Sequence, residues 1–304
     1  MLNLLNRIFT AMKFIFKKKL KISTRFIDSQ IRDFEYSFSQ DELDQYHEVI
    51  AVANQRQGFF EGTIHPLFYT KISWRITEHL NELLEIPIDP RILDTIVHQS
   101  EDITVERCLS GPCQLLVKVK IWRITPHARG TKMTLRLQYF SEGKLMATQY
   151  TGGLFLGVRC LGEERILGAL PHTEIVAENA IWEHAFLVDN QLPYTYAKKA
   201  EIDAPIHTNP AFAKSIGLPD IILQGTCTLA RATNQVLNAQ HRGHPLKIRR
   251  ISAKFTGMVI PPASLNVRIL KREKSFIYFD VINENGDGII KGGQIFINTN
   301  DTNT

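Results

Sequence analysis

Cysteine is scarce in this chain: four residues among 304, at positions 108, 113, 160 and 227. They form no C-x-x-C pair and no Cys/His array with zinc spacing, which excludes a disulfide scaffold and a zinc finger. Cys108 and Cys113 bracket Gly111-Pro112, but no second pair completes a metal or redox site, so no metal is expected. Free thiols in a reducing cytoplasm are the expectation. No apolar run is long enough to span a bilayer. Glycine (18) and proline (13) are too few for a collagen-like or low-complexity chain. What remains is an ordinary globular composition, 44% hydrophobic and 22% charged, long enough for one large domain or two of usual size.

Acidic residues are missing from positions 1–25, which hold Arg7, Lys13, Lys17, Lys18, Lys19, Lys21 and Arg25. Of 36 basic residues, setting those seven aside leaves 29 against 31 acidic ones, so the net charge of +5 belongs to this leader. A nucleic-acid-binding domain carries its positive charge in a patch on the folded body, so no nucleic acid partner is expected. The apolar stretches of the leader are interrupted by Asn3, Asn6, Arg7 and Lys13. Lys17–Lys19 follow the run, whereas a secretory signal puts its charge first. Two readings stay open. The leader is a cationic helix on an anionic membrane surface, giving peripheral contact through residues 1–25, or an extension with Met12 as the start.

A weak internal repeat organises the rest. Ile72, Ile76, Leu80, Leu83 and Leu84 fall at helical spacing after His65-Pro66. Alternating strands follow: Leu115–Ile121, Met133–Tyr139, and a hairpin at Ser141-Glu142-Gly143 into Leu145–Phe155. The second half repeats this order. Leu229, Thr233, Val236 and Leu237 share a helix face after Gln224-Gly225, and strands follow at Leu265–Ile269, Phe276–Ile282 and Gly288–Ile297. Pro112 and Pro261-Pro262 occupy matching slots before the long alternating strands. The pattern predicts α+β halves, each a sheet wrapped round a helix. Two unrelated α+β domains with the same element order remain an alternative.

Pro193–Arg231 carries the candidate chemistry. Asp203-Ala204-Pro205-Ile206-His207 is a proline-stiffened loop that places a carboxylate and an imidazole four residues apart. Asn209 caps a short helix with Pro210 at its first position, stopped by Gly217. Gln224-Gly225 opens the long helix, whose first amides lack intrahelical acceptors and sit at the positive end of the helix dipole. Imidazole, carboxylate and free amide together suit acid–base chemistry beside a carbonyl, with oxyanion stabilisation. The alternative for an Asp-x-Pro-x-His loop is a structural turn.

This segment resembles the MaoC-like (R)-specific enoyl-CoA hydratases and related 3-hydroxyacyl dehydratases. The resemblance rests on Tyr196, Ala197, Pro205, His207, Pro210, Phe212, Ala213, Gly217 and Gly225, with Lys254-Phe255 and Pro261-Pro262 further on. It covers about forty residues closely, and the first half has only the architecture, as in the two-hot-dog members. The implied fold is a double hot-dog: leader 1–25, an N-terminal acyl-accommodating half at 26–160, a linker at 161–172, a catalytic half at 173–298, and a tail at 299–304. The implied reaction is reversible hydration of 2-enoyl thioesters to 3-hydroxyacyl thioesters. Asp203 and His207 would activate water, and the Gly225 amide would bear the enolate charge. No separate cofactor is implied, because coenzyme A or phosphopantetheine arrives as part of the substrate; the partner is acyl-CoA or acyl carrier protein. The chain departs from the pattern where the aspartate is expected, five residues before His207. Ile202 stands there and Asp203 is one residue later, with Glu201 the next carboxylate to consider. Gln224 stands where the family has a histidine. An acyl-thioesterase and a non-catalytic acyl-thioester-binding protein are the rival functions on the same fold.

Among weaker signals, Lys247, Arg249, Arg250 and Lys254 form a basic run. It reads either as contacts to coenzyme A phosphates or as a solvated strand edge. His65, His98, His127, His172, His184, His241 and His244 show no triad or metal spacing, and Trp74 and Trp122 read as core or tunnel wall. A cytoplasmic homodimer, peripheral to the membrane, is the expected setting.

Overall fold

A computed structural model describes residues 20–55, 59–176, 178–239 and 248–298. The N-terminal half begins with strands β1 (Lys21–Ser23) and β2 (Phe34–Ser37). Helix α1 (Gln40–Ile50) follows, started by a capping box. Ser39 Oγ accepts from the Glu42 amide, and the Glu42 carboxylate accepts from the Ser39 amide. Helices α2 (Tyr69–Glu78) and α3 (Leu80–Leu83) bury Ile72, Ile76 and Leu80, as their spacing predicts. Strands β3 (Ile96–Val105), β4 (Gln114–His127), β5 (Gly130–Ser141) and β6 (Lys144–Leu156) complete the half. The β5–β6 hairpin turns at Glu142 and Gly143, both with positive φ (49° and 73°), the geometry a two-residue hairpin needs to match strand twist.

Short strands β7 (Arg159–Leu161) and β8 (Arg165–Ile166) lead across. The second half runs β9 (Trp182–Val188), α4 (Leu192–Ala200), α5 (Pro205–Thr208), α6 (Pro210–Ser215) and α7 (Gly225–Ala239). It ends with β10 (Ile248–Phe255), β11 (Ala263–Arg272), β12 (Phe276–Asn283) and β13 (Gly288–Ile297). Eleven of the fifteen α7 residues are buried, so this helix is core on nearly every side.

All the larger strands join one antiparallel sheet in the order β2-β4-β5-β6-β3-β10-β13-β12-β11-β9, with β8 on β4. Counted within its own half and inward from its outer edge, each side runs first, third, fourth, fifth, second strand. The two halves therefore share one topology and meet at the β3–β10 seam, where Ser100 faces Lys254 and Ile103 faces Ile251. Helices α1 and α4, which no strong sequence periodicity announces, occupy equivalent places after the first strand of each half. The Tyr46 and Tyr196 rings meet between them at 6.4 Å.

Three boundaries move from expectation. Residues 21–25 belong to the folded body, because β1 pairs in parallel with β7 and Ile22 is core; residues 1–19 lie outside the described residues. The segment 161–172 is docked rather than free: β8 pairs with β4, and the Trp122 indole donates to the Gly168 carbonyl at 3.2 Å. Strand β10 is paired on both sides, so its basic run is no strand edge. Among the described residues no helix is long and apolar enough to cross a membrane.

Candidate active site

The Asp203–His207 loop is set by the way α4 ends. Glu201 takes a left-handed conformation (φ 51°, ψ 40°), unusual for a residue with a Cβ, and turns the chain sharply. Ile202 then enters the core, 5% exposed, and Asp203 points outward. The position where the family pattern expects its acid is therefore packed in apolar surroundings. Asp203 Oδ1 accepts from Thr208 Oγ1 at 2.7 Å across the α5 turn.

His207 lies 2.8 Å, through Nδ1, from the Ile222 carbonyl. A carbonyl only accepts, so Nδ1 carries the proton and Nε2 presents its lone pair. Desolvation holds the imidazole down to about 4, against the opposing pull of the Ile222 carbonyl and the Asp203 charge. The ring is neutral at pH 7. Asp203 acts on His207 through its charge, and the two side chains are not hydrogen-bonded to each other.

Gln224 ties this loop to the start of α7. Its Nε2 donates to the carbonyls of Pro193 (3.1 Å) and Ile202 (3.2 Å), while its buried Oε1 has no partner. Gly225 is required by packing: a Cβ there would lie 2.9 Å from Phe255 Cδ1. Among the described residues nothing accepts from the Gly225 amide. The sequence pair Gln224-Gly225 thus yields an open helix start, as expected.

The first half contributes more than architecture. Leu154 and Leu156 of β6 pack under Ala213, Ile216, Leu218, Ile221 and Ile222, so the candidate segment lies across both halves. Glu78 of α2 is pushed above the usual carboxylate range by burial, with the Asp203 charge adding to the shift. Lys71 of α2 is fully buried between Glu42 (3.0 Å) and Glu201 (3.2 Å). That ion pair occupies Glu201, which removes it as an alternative partner for His207. His98, which spacing alone gave no role, lies 4.6 Å from the Phe255 ring at a 50° tilt and sits 3.2 Å from the buried Glu101 carboxylate. Apart from the His98–Glu101 pair within β3, these contacts have no linear signal, since each joins residues from different elements.

The basic run is largely committed elsewhere. Arg250 forms a two-point ion pair with Asp102 across the seam and also donates to the His172 carbonyl at 2.7 Å. Arg249 reaches the Cys108 sulfur. Lys254 is half-buried and near Lys132, which burial and then the neighbouring cations depress; among the described members of the run, Lys254 has neither an ion pair nor a side-chain hydrogen bond. Lys247, like His241 and His244, lies outside the described residues.

Comparison with known proteins bears on the fold and on the segment that holds the site. Residues 200–287 match the MaoC like domain family. The peroxisomal enoyl-CoA hydratase 2 of Arabidopsis thaliana is 31% identical over 88 residues, 29% of this chain and 28% of that protein. The peroxisomal multifunctional enzyme type 2 of Drosophila melanogaster is 22% identical over 203 residues, 66% of this chain and 34% of that protein. The chain thus spans about a third or less of the length of these relatives. A MaoC-like dehydratase from Phytophthora capsici has the same fold, with a TM-score of 0.76 at 17% identity over 90% of this chain and 98% of that one. A Mycobacterium tuberculosis protein described as a double hotdog fold aligns with a TM-score of 0.56 at 11% identity, covering 89% of this chain and 97% of that one.

Proposed function

We propose that this chain, a double hot-dog whose residues 200–287 are a MaoC-like domain, reversibly hydrates 2-enoyl thioesters to 3-hydroxyacyl thioesters. One observation carries the reading. The imidazole of His207 is bonded to Ile222, three residues ahead of the free Gly225 amide, so base and oxyanion donor are fixed relative to each other by one short segment. The His207 Nε2 lone pair takes a proton from water as the oxygen adds to the β-carbon. Charge passes to the thioester oxygen, where the Gly225 N–H and the α7 dipole stabilise it; one such donor is worth about 3–4 kcal/mol. A proton at the α-carbon completes the product. Asp203 keeps the site negative beside the imidazolium that forms.

Coenzyme A or an acyl carrier protein brings the acyl group, and Lys254 is the remaining candidate for its phosphates. Peripheral membrane contact through residues 1–25 belongs to the same reading, supported by the clustered leader cations alone, and a cytoplasmic homodimer completes it.

The test is a panel of 2-enoyl-CoA esters of graded length, followed by enoyl absorbance and by free thiol. Loss of absorbance without thiol, reduced about 10²–10⁴-fold by His207→Ala with the fold retained, is the expected result. Thiol release would make the protein a thioesterase. Binding with neither change would make it an acyl carrier or sensor.

A further inference from the structure

The hydration scheme leaves one polar cluster unused. It lies in the first half, at the seam, on the strand that pairs with β10. His98 Nε2 sits 3.0 Å from the Ser100 carbonyl, 3.1 Å from Thr151 Oγ1 and 3.2 Å from Glu101 Oε2. Because the Ser100 carbonyl only accepts, Nε2 carries a proton, and Nδ1 has no partner among the described residues. Glu101 is fully buried; Gln149 Nε2 donates to its Oε1 at 2.8 Å, and Oε2 makes no hydrogen bond, with the His98 imidazole beside it at 3.2 Å. Gln149 in turn donates to Ser73 Oγ of α2 at 3.0 Å and accepts from Tyr139. A buried carboxylate with one imidazole neighbour is an expensive arrangement unless the pair is used or needed as a brace.

Its location gives it a use. The exposed end of this network is His98, 31% exposed, against the Phe255 ring. Phe255 is the same ring that a Cβ on Gly225 would strike at 2.9 Å. His98 and Gly225 therefore meet the same ring, which puts His98 on the first-half side of the α7 start, while His207 is tied to Ile222 just ahead of it. The second half itself offers no carboxylate bonded to His207. Ile202 is in the core, Glu201 is held by Lys71, and Asp203 is bonded to Thr208.

We propose that His98, braced by Glu101, is a second catalytic residue of this cleft and handles the α-carbon proton. This rests on the hydration reading above. In hydration, water loses a proton to His207 Nε2 as its oxygen bonds to the β-carbon. The π electrons move to the thioester oxygen at the Gly225 amide, and the α-carbon then takes a proton from His98 Nδ1. Exchange with solvent discharges His207 and recharges His98, so the sum is one water added across the double bond. In dehydration Nδ1 takes the α-proton, and Glu101 compensates the charge on the ring while it holds both protons, the role a buried carboxylate plays beside a catalytic histidine.

The test compares native protein with His98→Gln and Glu101→Gln on the best enoyl-CoA and on its 3-hydroxyacyl product deuterated at the α-carbon. For His98→Gln a fall in kcat of about 10²–10⁴-fold is expected, with KM little changed and a larger α-deuterium isotope effect in dehydration. Glu101→Gln should lower kcat about tenfold or more in the same direction. Should either variant fail to fold, ¹⁵N-histidine spectra of the native protein replace it: 3-hydroxyacyl-CoA should shift the His98 Nδ1 resonance. A native protein that hydrates, with His98→Gln as active as native or an unmoved His98 resonance, overturns this proposal alone. A native protein that hydrates no enoyl thioester overturns the hydration reading and this proposal together.

Discussion

Lys71 makes the sharpest test of how the two halves are locked. Its ammonium is 0% exposed, held by Glu42 Oε1 at 3.0 Å and Glu201 Oε1 at 3.2 Å, whose side chains are 28% and 42% exposed. Each contact is worth about 5 kcal/mol of attraction at an effective dielectric near 20. Desolvating the ammonium takes back several kcal/mol of that. Removing the cation and removing the anions should therefore differ. Lys71→Met deletes attraction and desolvation together, keeps a flexible side chain of similar length, and leaves two carboxylates that water reaches; the loss should be about 1 kcal/mol. The pair Glu42→Gln with Glu201→Gln deletes the attraction but leaves the buried ammonium uncompensated, at a cost of about 3–5 kcal/mol. Glu201→Gln alone should fall between, because Glu42 still pairs. Urea unfolding at pH 7, read as midpoint at constant slope, measures all three. If Lys71→Met proves at least as damaging as the double glutamine variant, the ammonium is not the desolvated member and the reasoning fails.

Two further outcomes follow. His65 is fully buried and held down to about 3 by desolvation, so the unfolded chain, near 6.5, takes up its proton first as pH falls. This contribution is complete above pH 6.5 and is lost as pH drops towards 3, up to about 5 kcal/mol; His65→Asn, which can still cap the Leu67 amide, should flatten the urea midpoint against pH by about one proton, and an equally steep profile would refute the assignment. Gly225→Ala should cost about 1–3 kcal/mol by driving a methyl into Phe255, and Phe255→Leu in the same chain should recover that stability; recovery without the second change would mean the glycine is not required by packing.

How much of this was legible in the sequence follows from which interactions are local. The hairpin at Glu142-Gly143, the stop at Gly217 and the helix opening at Gln224-Gly225 are written in a few adjacent residues, and all three form as read. Helices α1 and α4 escaped notice because their apolar faces are short and mixed with charge; the Ser39…Glu42 capping box is the local signal that could have found α1. His207 and the helix opening at Gly225 were legible, because the His207–Ile222 contact and the start of α7 both fall within Pro205–Gly225. The site was not legible at Lys71, Glu78 or His98. Lys71 meets Glu201 130 positions away, and His98 meets Phe255 157 positions away, so no spacing rule connects them. The same limit applies to Arg250, which composition offers as a free cation and which the seam assigns to Asp102.

The seam also explains why one half keeps the chemistry. Shared topology would allow an equivalent site at the start of each principal helix, yet the two starts differ in what their amides can do. In the first half His65 is buried and its Nδ1 already accepts from the Leu67 amide at 3.1 Å, while the residue between them, Pro66, has no N–H to offer. That helix start has spent its donors internally and cannot hold an oxyanion. In the second half Gly225 keeps a free amide, and Gln224 turns its own donors backwards to Pro193 and Ile202 rather than forwards over the helix start. On the proposed hydration reading, an acyl thioester then has one place along the seam to set its carbonyl. The same reading draws on side chains of both halves, His207 and the proposed His98, which the β3–β10 pairing holds in fixed register. Loosening that register should damage catalysis before it damages either half, since each sheet is completed by its own strands and only the site needs both.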